Sequence, residues 1–253
     1  MSIWALSDPH LSLGIEGKNM DVFGEEWANH SKKIFDECSK VIKPCDLLLI
    51  PGDISWAMRI PDAMPDLEFI ASLPGTKIIS KGNHDYWWPS NKKLSEILPK
   101  SILFANHEAI EWNGLSITGV RLWDTKEFNN GAIINFKPNP KENTSKIKDL
   151  SNDETIFEKE LVRLENSLKL LNHDAYKILL CHYPPLPYTL KESRASQIIE
   201  NYRVNLCVFG HLHNVKKDVP IFGKKNGVNY VLASGDYLDF KPIYLGNISE
   251  LTA

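Results

Sequence analysis

The chain has 253 residues, 43 % of them hydrophobic, which is enough to bury a sizeable core and favours one α/β domain over 1–253 against two small ones. A net charge of −3 provides no global basic field, which argues against a protein held on nucleic acid chiefly by phosphate contacts. No apolar run reaches the roughly 18 residues that span a bilayer, and residues 3–6 run straight into Asp8 without the basic-then-apolar layout of a secretion signal.

Residues 3–6 read as a short buried strand ending in Asp8-Pro9-His10, whose two functional side chains lie two apart and so share one side of an extended chain. A helix is predicted over 25–43, with Trp27, Ile34, Phe35, Cys38, Val41 and Ile42 on one face and Pro44 as its stop. Residues 46–50 form the next buried strand and run into Pro51-Gly52-Asp53. A helix near 66–73 leads to a third strand over 77–80, after which Gly82 lets the backbone turn and present Asn83, His84 and Asp85. Ser90 is placed to cap a short helix through Leu98. Residues 102–105, 109–112 and 115–120 make a meander, with a type I′ turn at Asn113-Gly114.

From 121 to 151 the composition turns polar and irregular, which reads as a lid or a disordered excursion. Ser151 and Glu154 form a capping box for a helix carrying Phe157, Leu161, Leu164, Leu168 and Leu171 on one face. A strand over 177–181 ends in His182. A helix over 196–202 precedes a strand over 204–209, which ends in Gly210-His211-Leu212-His213, and strands over 230–233 and 243–248 close the chain. Cys38, Cys45, Cys181 and Cys207 are widely spaced without a Cys-x-x-Cys, which predicts reduced thiols and a cytoplasmic location.

Five strand ends thus carry Asp8 and His10, Asp53, Asn83 and His84, His182, and His211 and His213, while His30, His107 and His173 read as solvated surface residues. Open α/β sheets present their ligands at the carboxyl ends of strands. Singly, each of these side chains fits a capped turn or a hydrogen-bonded histidine. Burying all of them at one edge is costly without a counter-charge, and divalent cations supply it. The mixed Asp, His and Asn donors suit Mn, Fe or Zn better than Ca, and the absence of Cys ligands argues against a structural zinc.

The blocks Asp8-Pro9-His10, Gly52-Asp53, Gly82-Asn83-His84-Asp85, His182 and Gly210-His211-Leu212-His213 resemble, complete and in order, the pattern of the calcineurin-like metallophosphoesterases. The set looks most like the small bacterial phosphohydrolases and phosphodiesterases. The resemblance implies an α/β fold, a four-layer α/β/β/α sandwich of two mixed β-sheets with flanking helices. It implies two divalent metal ions per chain, Mn and/or Fe with Zn as the alternative. Asp8, His10, Asp53 and His213 would hold one; Asn83, His182, His211 and the shared Asp53 would hold the other. It further implies hydrolysis of a phosphoester, a diester before a monoester, by metal-activated water, with His84 as general acid and Asp85 orienting its ring.

Protein phosphatases of this superfamily grip phosphate with arginines near the second and third blocks. Here Arg59 is displaced and Lys81 lacks a bidentate fork, which argues against that activity. The implied substrate is a small-molecule phosphoester, with nucleotide-containing esters among the candidates. Trp56, Tyr86, Trp87, Trp88, Tyr183 and Tyr188 follow closely on these blocks and either stack a flat group or pack loops on the core. Two other readings stand beside this one: a nuclease, which the charge disfavours, and a catalytically silent scaffold for protein partners, which the presence of His84 disfavours.

Overall fold

The structure, a computed structural model, describes residues 1–137 and 150–252, with the side chains of 150–152 excepted. In chain order the strands are β1 (Ser2–Ala5), β2 (Leu47–Ile50), β3 (Thr76–Ile79), β4 (Ile102–Phe104), β5 (Ala109–Trp112), β6 (Leu115–Val120), β7 (Tyr176–Cys181), β8 (Leu206–Phe209), β9 (Gly223–Lys225), β10 (Val228–Leu232) and β11 (Ile243–Asn247). The helices are α1 (His30–Val41), α2 (Ile60–Ser72), α3 (Asn91–Ile97), α4 (Leu150–Leu168), α5 (Arg194–Asn201) and α6 (Ile248–Leu251).

Strand β2 is buried at every position, so its sequence is a continuous Leu-Leu-Leu-Ile run with no polar alternation. Its neighbours explain why. Leu47 and Leu49 join Ile3, Ala5 and Ile78 against Ile117, Ile178 and Leu180 of a second sheet. Leu48 and Ile50 turn the other way, onto Ile34, Leu67 and Ile70 of α1 and α2. The outer face of the second sheet is covered in turn by α4 and α5 through Leu164, Leu168 and Ile199. Four layers result, the α/β/β/α sandwich that the resemblance implied.

Both sheets are mixed. The first has the order β11-β1-β2-β3-β4, with β1 to β4 parallel and β11 antiparallel at the edge. The second has the order β5-β6-β7-β8-β10-β9, with β6, β7, β8 and β10 parallel between two antiparallel edges. The parallel strands of the two sheets end together: Ser7 N–H donates to Ala233 O at 2.6 Å, and Gly235 N–H donates to Ser7 O at 2.9 Å.

Local expectations hold where turn and cap chemistry is explicit. Asn113 and Gly114 have φ of 47° and 84°, both positive as a type I′ turn requires. Ser90 Oγ accepts from Lys93 N–H at 3.4 Å. Helix starts differ more. The helix expected over 25–43 begins only at His30, because Asn29 takes a left-handed φ of 54° and a 3₁₀ turn (Glu25–Trp27) precedes it. Helix α2 starts at Ile60 instead of near 66; Pro61 lies in its first turn, where a missing N–H costs little, and Pro65 lies inside. Helix α5 starts at Arg194, two residues before the predicted start, with Ser193 and Ser196 capping each other. Ser151 of the predicted capping box lies outside the described side chains.

His30 corrects the reading of it as a solvated residue. It is buried, with its ring nitrogens 3.1 Å from Trp27 O and 3.0 Å from Pro9 O, and it pins α1 to the Asp8–His10 loop. His107 is half-buried with Nδ1 3.3 Å from Ser167 Oγ, whereas His173 is exposed as expected. Of the irregular stretch over 121–151, residues 138–149 lie outside the described residues. The preceding part, with a 3₁₀ turn at Gly131–Ile133, is tied to the loop after His213 by Asn135 N–H to Asn214 O and Lys216 N–H to Ile133 O, each at 2.8 Å. Among the described residues no helix is long and apolar enough to cross a membrane.

Candidate metal centre

The donor residues follow the carboxyl ends of β1, β2, β3, β7 and β8. Asp8, His10, Asp53 and His211 have left-handed φ of 56°, 42°, 51° and 68°. Such conformations cost about 1–3 kcal/mol each at non-glycine residues and gather at functional sites. Loop-to-loop hydrogen bonds hold them, among them Asp8 N–H to Gly52 O at 3.2 Å and His10 N–H to Asp53 O at 3.0 Å. Two glycines let the loops close. A Cβ on Gly82 would stand 2.1 Å from Asp53 Oδ1, and one on Gly210 would stand 2.2 Å from Asp8 Oδ2.

All seven residues proposed as ligands from the sequence come together. His10 Nε2 faces His213 Nε2 at 3.1 Å. Asn83 Oδ1 lies 2.6 Å from His182 Nε2 and 3.1 Å from His211 Nδ1. Asp53 Oδ2 stands between the two groups, 3.6 Å from His10 Nε2 and 3.4 Å from His182 Nε2. Among the described residues two clusters could hold a metal, Asp8 with His10 and His213, and Asp8 with Asp53 and His182. Asp8 is thus common to both, while Asp53 offers the oxygen that faces both.

Second contacts orient the rings. His182 Nδ1 lies 3.1 Å from Pro51 O, so this nitrogen carries its hydrogen toward the carbonyl and Nε2 points into the centre. His213 Nδ1 lies 2.9 Å from Asp236 Oδ1, which leaves Nε2 facing His10. The carboxylates draw positive charge inward. Burial pushes His182 down, but Asp53 and Asp8 outweigh it and hold the ring up at about 9. Burial likewise lowers His213, and Asp236 reverses the shift to about 9. Burial works to raise Asp53, yet His182 and His10 keep its carboxyl well below the usual range; burial raises Asp8. Two buried carboxylates against converging ring nitrogens and an amide oxygen, with no sulfur, suit divalent cations of the Mn, Fe and Zn group.

Asp236 is a residue that the sequence reading missed. It follows β10 as Ser234-Gly235-Asp236, the same strand, glycine, carboxylate pattern as Gly52-Asp53, and its Oδ2 also accepts from Asn214 N–H at 2.7 Å. Substituting Asp236→Asn is expected to weaken the cation beside His213 by about 10–100-fold, the usual cost of losing such an orienting partner. Metal titration with each site resolved checks this; unchanged affinity there would leave Asp236 a loop anchor only.

His84 lies beside the centre, its ring 5.7 Å from that of His10 and 4.3 Å from that of Trp56, and its backbone N–H donates to Asp53 Oδ1 at 2.8 Å. Asp85 does not orient it, contrary to expectation. The Asp85 carboxylate accepts instead from Ile54 N–H at 2.9 Å, Ser55 N–H at 3.2 Å, Gly82 N–H at 2.8 Å and Trp87 Nε1–H at 3.0 Å, and so ties the second block to the third. Among the described residues His84 Nδ1 is buried without a hydrogen-bond partner, and the ring is packed by Trp56. The aromatic residues divide accordingly. Trp87 and Trp88 are core, Tyr86 is exposed, Trp56 stacks on His10 at 5.0 Å, and Tyr183 lies against His211 at 3.9 Å.

A two-sheet α/β sandwich with buried Asp and His clusters at the carboxyl edge defines a class of proteins equipped to hold metal. The sequence profile of the calcineurin-like phosphoesterases matches residues 1–215, and the chain belongs to that family. No curated protein matches by sequence. Similar solved structures include a protein of unknown function from Aquifex aeolicus, 19 % identical, covering 96 % of this chain and 95 % of that one with a TM-score of 0.46. Phosphopantetheinyl hydrolase from Mycobacterium tuberculosis is 16 % identical over 92 % of this chain and 88 % of its own, with a TM-score of 0.49. A purple acid phosphatase from yellow lupin (Lupinus luteus) seeds is 13 % identical over 93 % of this chain and 44 % of its own, also at 0.49.

Proposed function

We propose that the chain is a dinuclear-metal-dependent phosphohydrolase of small phosphoesters, diesters above monoesters, working as one domain over 1–253. The observation that carries this reading is the position of Asp53 Oδ2 between His10 and His182, which joins two donor groups into one centre. Asp8, His10, Asp53 and His213 would hold one ion, and Asn83, His182, His211 and Asp53 the other, with Mn and/or Fe as the ions and Zn as the alternative. When bound, two such ions activate water and clamp the phosphoryl group. The chain's own part is to fix the donors and to move a proton. His84, half-buried beside His10 and Trp56, protonates the leaving oxygen, and Asp85 holds the His84 loop against Ile54 and Ser55.

A monoester dianion carries one more charge to be gripped than a diester. Arg59 is exposed at the start of α2 and Lys81 has no fork, which supports the preference for diesters. Of the stretch over 121–151 read from the sequence as a lid or rim, Trp123, Phe128 and Asn129 line the cleft that reaches His211, which supports that role. The four free cysteines, three of them buried, are in keeping with a reducing cytoplasm. The test is a screen of diesters, monoesters, nucleotide pyrophosphates and nucleic acids with chelated and Mn²⁺-reconstituted protein. Turnover of small diesters that vanishes on chelation and returns with Mn²⁺ is the expected result. Turnover indifferent to chelation, or confined to nucleic acid, would overturn the reading.

A further inference from the structure

An imidazole that moves a proton is ordinarily oriented through its second nitrogen, by a carboxylate or a carbonyl oxygen. His84 lacks such a partner. Its Nδ1 is buried with no hydrogen-bond partner among the described residues, and the neighbouring Asp85 carboxylate is engaged by Ile54, Ser55, Gly82 and Trp87. Burial closes Nδ1 to a substrate as well, so Nε2 is the nitrogen that can meet a departing oxygen.

Ring contacts stand where that hydrogen bond would be. The Trp56 indole lies 4.3 Å from the His84 ring, closer than His10 at 5.7 Å or the exposed Tyr86 at 6.3 Å. Trp56 also stacks on His10, at 5.0 Å with 22° between the planes. One indole thus touches both a proposed metal ligand and the proposed acid. His84 and Trp56 share the wall of a cleft of about 280 Å³ that reaches His10 and His213, so a bound ester has access to the ring.

A ring positions another only if it is itself held, and Trp56 is held at both ends. Its backbone N–H donates to Leu11 O at 2.9 Å, and its Nε1–H donates to Met20 Sδ at 3.0 Å. Ser55, just before it, is pinned twice: its N–H donates to Asp85 Oδ1 at 3.2 Å, and its hydroxyl donates to Asp66 Oδ2 of α2. Asp66 is fully buried, and its other oxygen accepts from Leu13 N–H at 2.7 Å. The indole is a fixed face and the imidazole its movable partner. We propose that Trp56 is the positioning residue of His84: contact with a rigid indole, in place of a hydrogen bond at Nδ1, holds the imidazole where Nε2 can protonate the leaving oxygen. Such a face restrains the plane of the ring without placing a charge beside it.

This role rests on the reading of His84 as general acid, and the test separates the two. In Mn²⁺-reconstituted protein, Trp56→Ala is expected to lower kcat on alkyl phosphodiesters by about 10–10²-fold, the scale of a misplaced catalytic group, and to cost less on nitrophenyl esters. Trp56→Phe keeps a flat face and should recover most of the loss; Trp56→Leu keeps the apolar bulk without the face and replaces Trp56→Ala if the truncated protein is unstable. Added to His84→Ala, Trp56→Ala should cost nothing further, because a positioning residue has no effect without the group that it positions. Additive losses in the double variant, equal losses on all esters, or a missing ion would make Trp56 a support of His10 or of the fold and overturn the proposal. A second measurement needs no turnover. Crystals of the Zn²⁺-loaded protein should show the His84 ring in one place in wild type and Trp56→Phe, and displaced or in several rotamers in Trp56→Ala, with Asp8, His10 and Asp53 unmoved. An undisturbed His84 ring in Trp56→Ala would overturn the positioning role even in an active enzyme. A displaced ring in a protein whose wild type hydrolyses no ester would remove the general-acid reading and leave Trp56 a packing residue.

Discussion

Asp53→Asn is expected to abolish turnover and to lower metal content at both sites. One oxygen, Oδ2, faces His10 at 3.6 Å and His182 at 3.4 Å, while Oδ1 is engaged by the His84 N–H at 2.8 Å. The substitution keeps the shape and the Oδ1 contact but removes the charge that serves both donor groups. Charge stabilisation by such ions is worth several kcal/mol in the transition state, and about 1.4 kcal/mol is a decade in rate, so a loss of about three decades or more is expected. Metal analysis of reconstituted protein alongside kcat provides the measurement, with Asp8→Asn as comparator because Asp8 belongs to both three-residue clusters. An Asp53→Asn protein that keeps one full ion while Asp8→Asn loses both would transfer the bridging role to Asp8.

His84→Ala is expected to act through the leaving group. A nitrophenolate departs readily without a proton, whereas the alkoxide of a sugar or alcohol does not. Loss of the ring should therefore cost little on aryl esters and about 10²–10⁴-fold on alkyl or ribosyl esters, the usual worth of general acid catalysis. His84 lines a cleft with Trp56 and Lys137, and among the described residues it stands outside the clusters that could hold a metal, so ion stoichiometry should stay near that of wild type. The check is kcat/KM across esters of graded leaving-group pKa, with metal content measured in parallel. Equal losses on every ester, or a missing ion, would make His84 a ligand or a packing residue; full activity throughout would end its assignment as the acid.

Most of the candidate centre was legible because its donors sit just beyond buried strands, five of the seven beside glycine or proline, and that arrangement is visible as a run of apolar residues with a polar tip. What escaped the sequence depended on register between distant strands. Asp236 follows β10 in the same manner, but its partner His213 follows β8, and only the parallel pairing of β8 with β10 brings them together. Asp85 misled for a local reason. The chain bends at Asn83 and His84, so the Asp85 carboxylate reaches Ile54 and Ser55 while the His84 ring turns to Trp56. His30 misled because the Pro9 carbonyl that receives it lies 21 positions away, beyond the reach of a helical-face argument.

The left-handed donors have a consequence for the life of the protein as well as for its chemistry. Asp8, His10, Asp53 and His211 hold costly backbone conformations, and two of the four bring buried carboxylates close together. An ion that binds only the native chain offsets such costs; at a hundred times its Kd it adds about 2.7 kcal/mol to stability. Shifts of about 1–2 kcal/mol already change the cellular abundance of marginally stable proteins several-fold. Scarcity of metal would then reach this protein twice, through the rate of each molecule and through the number of molecules that survive quality control.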